Sequence, residues 1–405
     1  MGKYDGLDWG RAMNFEFSDA ENAFQEELEA YLDANQSPGV MDRNPEQLSQ
    51  TVDSPAKRGL MAGLAERGWL GMSWPVEYGG AEKSGIYDFI LTETLSRYGA
   101  PQPGKGVGIV GKTIIRHGNE KLKKYFLPKI IRGEIEFAIG YSEPQAGSDA
   151  SAMQLKAQRD EERGGWVLNG HKTWTTSAHF ADWYWVGART DPDHKHQGIS
   201  VFLVPMDHEG LEIHPTWTIG DERTNEVYFT DVFVSDDFVV GEVNQGWKYI
   251  CEALDLERFA MMPVGPLEKK VEAFCDWVRE AERDGEPLRE SPRVRSQVAQ
   301  AATELEVARM LQRQVIAGAV KGGIPTVESS MYKLYMNEAG KRLANSALDA
   351  MGPAGQLKPD VEDAPLDGRF ERSYRYTVVD TIGGGASEIQ KNIISRRGLG
   401  LVKNF

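Results

Sequence analysis

The stretch Gly165–Thr190 reads GWVLNGHKTWTTSAHFADWYWVGART and joins short runs of aromatic and β-branched residues with Gly, Asn and Asp separators. The same composition recurs in GISVFLVP (198–205) and EVYFTDVFV (226–234). Short apolar runs bounded by turn-forming residues are typical of strands that pair with their sequence neighbours. The sequence therefore predicts an antiparallel β domain of about one hundred residues, beginning near Phe137.

Helical patterns flank this β region on both sides. AENAFQEELEAYLDAN (20–35) repeats its apolar residues at intervals of three and four, and VRSQVAQAATELEVARMLQRQVIAGAV (294–320) does the same. The predicted fold is mainly α with a central β domain. It comprises an N-terminal helical domain (1–132), a middle β domain (133–240) and a C-terminal helical bundle (241–405).

Composition narrows the class of protein. The 405 residues carry a net charge of −15, which argues against a general nucleic-acid binder. The chain has only two cysteines, Cys251 and Cys275, so no disulfide framework and no cysteine-rich metal site is expected. The seven histidines show no helix-spaced ligand pairs, and we expect no metal. No apolar run is long enough to span a membrane, and the N-terminus lacks a signal-peptide core. Because no disulfide framework is expected, the expected compartment is the reducing cytoplasm.

One motif is misleading. GVGIVGKT (106–113) matches the phosphate-loop pattern G-x-x-x-x-G-K-[ST]. That pattern binds phosphate only where a buried strand feeds the glycine turn and a helix follows. The preceding YGAPQPGK (98–105) contains two prolines and no strand-like run. We interpret the segment as a packed, glycine-rich helix; a nucleotide-binding loop is the alternative.

Several long motifs together resemble the acyl-CoA dehydrogenase family. The matching segments, in the family's order, are WPVEYGG (74–80), RHGNEKLKKYFLPKIIRGE (116–134), YSEPQAGSDASAMQLKAQ (141–158), Gly165–Thr190, LDLER (254–258) and GGGASEIQKNIISRRGLG (383–400). The resemblance implies an N-terminal helical domain, a β-barrel-like middle domain and a C-terminal four-helix bundle. It also implies FAD held among these domains and a partner subunit, an acyl-CoA substrate, and an electron-transfer flavoprotein as electron acceptor.

The resemblance assigns the flavin site to the middle domain and the C-terminal signature. A flavin needs hydrogen-bond donors at its ring edge, an apolar wall and polar groups for its phosphates. Thr176 is expected near flavin N5, Trp174 against the ring, and Ser148 at cofactor or substrate. The other expected cofactor contacts are Tyr141, Ser142, Gly147 and Glu388.

The catalytic base poses a problem. The family removes the α-proton of an acyl thioester with a carboxylate while a hydride passes from the β-carbon to flavin N5. In many members the carboxylate lies in the C-terminal signature, at the position held here by Gly384. A subset of the family takes its glutamate from the substrate-facing helix, which places Glu257 of LDLER in that role.

Helical periodicity is consistent with this assignment. The residues Trp247, Ile250, Cys251, Leu254, Met261 and Met262 form one apolar stripe at about 100° per residue. Arg258 falls within the stripe and Glu257 on its shoulder. A carboxylate bordering a buried stripe is costly unless it is paired or functional. Glu257 is therefore either the base or a member of a structural ion pair.

Other expectations concern the substrate. A backbone N–H survives the loss of a side chain, so Gly384 can still polarise the thioester carbonyl. The glycines leave room for a branched, cyclic or otherwise bulky acyl group. Asp255 and Arg258 resemble the pair that meets CoA; capping and surface ion pairs are the alternative.

Two departures from the family pattern limit the assignments. AERDGEPLRESPRVRSQ (281–297) lacks the Phe-Gly of the Arg-x-x-Phe-Gly motif, so no arginine is assigned to FAD across the subunit interface. In the signature, the family's Thr and Gln that meet the cofactor are replaced by Ala386 and Glu388.

Three functions remain in competition. The leading one is an acyl-CoA dehydrogenase that works as a homotetramer or heterotetramer. The first alternative is a non-catalytic or cofactor-sharing subunit of a heteromeric dehydrogenase. The second is a flavin oxidase or monooxygenase on the same fold.

Overall fold

The structure is a computed structural model that describes residues 17–46, 50–260, 262–320 and 325–402. The side chains at 255–260 and at 319–320 lie outside this description.

The N-terminal part is helical, and polar side chains cap its helices. Ser18 and Glu21 form a capping box on the first helix, and Ser54, Ser84 and Asn119 accept backbone N–H groups at later helix starts. The helices are α1 (Asp19–Ala34), α2 (Pro55–Glu66), α3 (Gly85–Tyr98), α4 (Gly111–His117) and α5 (Glu120–Ile131). The buried faces of α1, α2 and α3 share one core that includes Leu28, Leu32, Leu64, Ile90 and Leu95. The buried faces of α4 and α5 lie in a second core, which includes Ile114 and Phe126.

The segment that matches the phosphate-loop pattern is helical, as predicted. Gly106–Val110 forms a π-helical turn that runs directly into α4. Ile109, Val110 and Ile114 are buried. The residues before it, 99–104, adopt no strand, so the arrangement that a phosphate loop requires is not formed there.

The middle part forms one curled sheet. Among the described residues its strands are β1 (Phe137–Gly140), β2 (Lys156–Asp160), β3 (Gly165–Lys172), β4 (Trp183–Arg189), β5 (Ile199–Pro205), β6 (Leu211–Trp217) and β7 (Arg223–Ser235). They lie in the order β1-β4-β2-β3-β7-β6, with β5 also paired to β4. Most pairs are antiparallel as predicted, but β1 and β2 pair with β4 in parallel. Leu168, Val186, Phe202 and Val232 are buried in its interior.

The C-terminal part is a helical bundle with one small hairpin. Its elements are α6 (Gly246–Ala260), α7 (Gly265–Glu280), β8 (Glu282–Arg283), β9 (Glu286–Pro287), α8 (Pro292–Val320), α9 (Thr326–Met351), α10 (Arg369–Asp380) and α11 (Ser387–Ile393). Helices α7 to α10 enclose a core that includes Phe274, Leu305, Met336, Leu343 and Phe370. Within the described residues, no helix is both long and apolar enough to cross a bilayer.

Helix α6 is shorter than the predicted apolar stripe. It ends at Ala260, and the buried Met262 belongs to the linker before α7. Proline at position 263 explains this, since a residue before proline is driven out of the helical conformation. Met261 lies outside the described residues. Ile250 and Ala253 are buried, and Ile250 packs close to Gly187 of β4, so the first half of α6 is seated on the sheet.

Candidate active site

One buried carboxylate, Glu143, fixes the loop between β1 and β2. Its Oε1 accepts hydrogen bonds from Lys172 Nζ and Leu155 N, both at 2.8 Å. Its Oε2 accepts from Gln154 N at 2.6 Å. The side chains of Glu143 and Lys172 are almost completely buried. The pair therefore locks residues 141–155, which carry four of the expected site residues, to the end of β3.

Sequence reasoning missed this pair, although a signal for it exists. Strand alternation puts Lys172 on the same inward face of β3 as Trp166 and Leu168, and all three are buried. Burial lowers the pKa of Lys172 to about 8, and the negative charge of Glu143 opposes that shift. A lysine in such a position needs an acidic partner, because an unpaired buried charge is strongly unfavourable.

Trp174 adopts a strained conformation on the loop after β3. Its φ is +59°, which is rare for a bulky side chain, and its side chain is 59% exposed. Hydrogen bonds hold the backbone on both sides: Thr173 N donates to Ser142 O and Thr175 N donates to Asn225 O, each at 3.0 Å. Strain that the surroundings maintain is typical of ligand-contacting positions.

Thr176, the next exposed residue, is held by Asn225, which sequence reasoning also missed. Asn225 Nδ2 donates to Thr175 O at 2.8 Å and more weakly to Thr176 O. The buried Thr175 hydroxyl bonds to Tyr184, so it is Thr176 that faces solvent. Asn225 is fully buried on β7, and only the folded sheet brings it under this loop.

The structure brings the loops of Tyr141 and Trp174 together. Tyr141 O accepts from Lys172 Nζ at 3.3 Å, and Tyr141 Oη accepts from Trp185 Nε1 at 2.7 Å. Ser142 is linked to the other loop through its carbonyl oxygen, as described above. Tyr141, Ser142, Trp174 and Thr176 therefore lie on two adjoining loops at one end of the sheet.

Gly147 and Ser148 are exposed on the same β1–β2 loop. A Cβ added to Gly147 would meet no atom within 4 Å, so its backbone is open to an approaching ligand. An exposed indole, exposed hydroxyls and an open glycine on neighbouring loops match the wall, donors and phosphate contact that FAD needs. The residues present fit this cofactor.

The glycine segment forms a tight turn between α10 and α11. Gly384 and Gly385 have φ of +63° and +95°, conformations that favour glycine. Gln390 Nε2 donates to Gly385 O at 2.9 Å, and Ser387 Oγ donates to Glu338 on α9. Glu388 is exposed at the start of α11.

Helix α9 contacts two segments of the expected site, the linker that follows α6 and the glycine turn. Tyr332 Oη donates to Met262 O, just beyond the end of α6. The neighbouring Lys333 packs against Gly384. Asp255, Glu257 and Arg258 lie on the last turns of α6, where the backbone is described and the side chains are not.

Comparisons with known proteins agree with this architecture. Three family models match in order: "Acyl-CoA dehydrogenase, N-terminal domain" at residues 18–134, "middle domain" at 138–232 and "C-terminal domain" at 244–399. "Acyl-CoA dehydrogenase FadE26" of Mycobacterium tuberculosis is 33% identical, across 85% of this chain and 88% of that protein. "Acyl-CoA dehydrogenase IpdE1" of Mycolicibacterium smegmatis is 34% identical, across 84% of this chain and 86% of that protein.

Solved structures give the same result. The "Tcur3481-Tcur3483 steroid ACAD" structure superposes with a TM-score of 0.86 at 32% identity, covering 97% of this chain and 100% of the other. The ChsE4-ChsE5 complex of Mycobacterium tuberculosis gives a TM-score of 0.85 at 31% identity, covering 96% and 100%. This chain therefore belongs to the acyl-CoA dehydrogenase family, whose members are FAD-dependent oxidoreductases.

Proposed function

We propose that this enzyme converts an acyl-CoA thioester to the trans-2-enoyl-CoA with Glu257 as the catalytic base. Bound FAD supplies the hydride acceptor, N5 of its ring. The observation that carries the proposal is the Gly384 turn: the segment in which many relatives of this fold keep a carboxylate holds glycine in a left-handed conformation. The proton acceptor must then come from another element.

Helix α6 is the element best suited to provide it. Its backbone is helical from Gly246 to Ala260, so position 257 lies on the face that continues from Ile250 and Ala253. Both of those residues are buried. A general base needs a pKa near the working pH, and burial of a carboxyl group is a common way in which proteins raise it.

The other site residues have supporting roles in the proposal. The Gly384 N–H donates to the thioester carbonyl and stabilises the charge that develops there. Trp174 packs against the flavin ring, and Thr176 donates near its N5 edge. Tyr141, Ser142, Gly147 and Glu388 contact the cofactor.

Binding of the CoA portion is assigned to three residues. Asp255 and Arg258 contact it from α6, and Ser148 contacts it from the β1–β2 loop. The exposure of Ser148 supports this role, since its hydroxyl is free to meet a ligand that arrives from solvent.

A bulky acyl group is the proposed substrate class. A glycine at position 384 places no side-chain volume where other members carry a carboxylate. A solved structure named as a steroid ACAD lies among the most similar chains, which supports a polycyclic, steroid-like thioester.

The proposed assembly includes a second acyl-CoA dehydrogenase subunit. Tyr374 and Val378 on α10 and Ile382 just past its end are spaced four residues apart and all exposed. Ile219, also exposed, lies next to α10, since its carbonyl oxygen accepts from Arg375. An exposed apolar stripe of this kind marks a protein interface. Two similar structures are named for pairs of different chains, which favours a heterotetramer over a homotetramer.

Electrons are proposed to pass to an electron-transfer flavoprotein in the cytoplasm. The second candidate function is a cofactor-sharing subunit without its own base, and the glycine at 384 is the observation that favours it.

A flavin oxidase or monooxygenase on the same fold would differ in one measurable property, because air would rapidly reoxidise its reduced flavin.

Replacing Glu257 by Gln tests the proposal in the purified holoenzyme. Flavin reduction by a steroid-like CoA thioester is expected to slow by roughly 10²- to 10⁴-fold, the usual contribution of a general base. Glu252→Gln is the matched control, since Glu252 lies on the same helix and bonds to His117 at 2.7 Å. Unchanged flavin bleaching in Glu257→Gln would show that the base lies elsewhere.

A further inference from the structure

A carboxylate outside the expected active site, Glu93 on α3, is bound to the linker that follows α6. Its Oε1 accepts a hydrogen bond from Gly265 N at 2.7 Å, and its Oε2 accepts from Val264 N at 3.2 Å. Gln312 on α8 donates to the same Oε2 at 2.7 Å. Glu93 thus receives three donors from two other elements of the chain.

These donors include the N-terminus of α7. Val264 is the N-cap residue of α7, and its own side chain makes no capping hydrogen bond. The first N–H groups of a helix need acceptors and carry a partial positive charge. Glu93 satisfies two of them from a different domain.

The linker is held at a second point. Tyr332 on α9 donates its hydroxyl to Met262 O. At Gly265 an added Cβ would lie 2.8 Å from Arg97 N, so the chain passes directly against the backbone of α3. Glu93 and Tyr332 together fix residues 262–265 between α3, α8 and α9.

The environment of Glu93 agrees with an anchoring role. Burial raises the pKa of the Glu93 carboxyl, and the negative charge of the nearby Glu268 adds to this rise. The hydrogen bonds from Gln312, Val264 N and Gly265 N lower the same pKa. Burial also raises the pKa of the Tyr332 hydroxyl, and the negative charge of Glu93 adds to that shift. Arg309 pairs with Glu268 at 2.8 Å.

We infer that Glu93 is a positioning residue that sets the end of α6, and through it the place of the proposed base Glu257. This inference rests on the proposed function. The first half of α6 is seated on the sheet through Ile250, whereas its end is followed at once by the linker that Glu93 and Tyr332 hold. Loss of this anchor lets the last turns of α6 shift, and an error of about 1 Å in a reacting group can cost on the order of 10²-fold in rate.

The test compares Glu93→Ala and Glu93→Gln in the full-length, FAD-loaded protein. Single-turnover flavin reduction by a steroid-like CoA thioester is the main readout. Glu93→Ala is expected to slow reduction by at least about tenfold with an unchanged dissociation constant for the thioester. Glu93→Gln retains one oxygen acceptor and is expected to recover part of the rate. Deuterium at the α-carbon is expected to slow Glu93→Ala more than wild type, because proton removal is the affected step.

Glu304→Ala is the matched control. Glu304 is a buried carboxylate on α8, and it accepts from Gln300 Nε2 and Arg342 Nε, both at 2.7 Å; neither of these hydrogen bonds involves the linker. It is expected to lower stability while leaving the reduction rate per bound flavin within about twofold of wild type. If Glu93→Ala does not fold, Tyr332→Phe is the second variant: it removes the hydroxyl that bonds to Met262 O and interacts with Gln312, and it is expected to slow reduction about threefold.

The outcomes separate the two proposals. A Glu93→Ala enzyme with a reduction rate per flavin within about twofold of wild type overturns the positioning role, even where Glu257→Gln is inactive. A fall in rate matched by the same fall for Glu304→Ala, with no change in the α-deuterium effect, also overturns it. Flavin reduction that survives Glu257→Gln instead overturns the proposed base.

Discussion

Cε of Lys333 lies 3.4 Å from the point that a Cβ on Gly384 would occupy. Lys333 is buried on α9, so this helix forms the floor beneath the glycine turn. The contact is of ordinary length and leaves space for one methyl group. What demands glycine at position 384 is the backbone conformation, with φ at +63°.

Replacing Gly384 by Ala is therefore expected to lower the free energy of unfolding by about 1 kcal/mol, the approximate cost of a left-handed conformation for a residue with a Cβ. Chemical denaturation measures it. Gly59→Ala is the control, because Gly59 is exposed inside α2 and an added Cβ meets nothing within 4 Å. There alanine is expected to stabilise by roughly 0.5–1 kcal/mol. Equal effects at both positions would contradict the explanation.

Trp174→Ala is expected to weaken FAD binding by about tenfold, since losing an aromatic stacking contact costs on the order of 1.5 kcal/mol. Titration of apo-protein with FAD measures the dissociation constant. Trp217 is 67% exposed on β6, and Trp217→Ala is expected to bind FAD like wild type. An unchanged FAD affinity in Trp174→Ala would remove Trp174 from the cofactor site.

The buried Glu143–Lys172 ion pair is expected to matter for stability chiefly because each charge needs its partner. Glu143→Gln leaves the Lys172 charge unpaired and is expected to lower the free energy of unfolding by about 3–5 kcal/mol. Combining it with Lys172→Met is expected to recover part of the loss, because the unpaired charge is then gone. The surface pair of Lys57 and Asp53 is the control, and Asp53→Asn is expected to cost at most about 0.5 kcal/mol. The idea fails if the double variant is no more stable than Glu143→Gln.

Glu136 is expected to make the stability of the folded protein depend on pH. Burial raises the pKa of this carboxyl from 4.5 to about 8; Asp182 adds to the shift, and Arg58 and Lys105 oppose it. Between these pH values the folded state binds more protons than the unfolded state, so this group's contribution to stability is lost as the pH rises. The slope is at most about 1.4 kcal/mol per pH unit.

Glu136→Gln is accordingly expected to gain stability relative to wild type as the pH rises from 5 to 8. Thermal unfolding at several pH values measures the difference. Glu120→Gln, on the surface of α5, supplies the baseline for removing one negative charge. A difference between Glu136→Gln and wild type that stays constant across this range would show that Glu136 is already ionised in the folded protein.

The helices and strands could be predicted from the sequence where their apolar residues recur at a regular short interval. The strands lie where the aromatic and β-branched runs predict them. GVGIVGKT is helical, as the lack of a strand-like run before its glycines indicated. The apolar stripe continues to Met262, but Met262 is not helical, because Pro263 drives the residue before it out of the helical conformation.

By itself, the sequence determined the order of helices, sheet and bundle, and it determined that Gly384 brings no carboxylate to its turn. Only the tertiary structure paired Glu143 with Lys172, bound Glu93 to Val264 and Gly265, and put Tyr332 and Lys333 of one helix against two different parts of the expected site. The physical reason is the separation along the chain of the residues that interact. Helix and strand patterns arise from neighbours a few residues apart, whereas a buried charge acquires its partner from whichever distant element packing brings beside it.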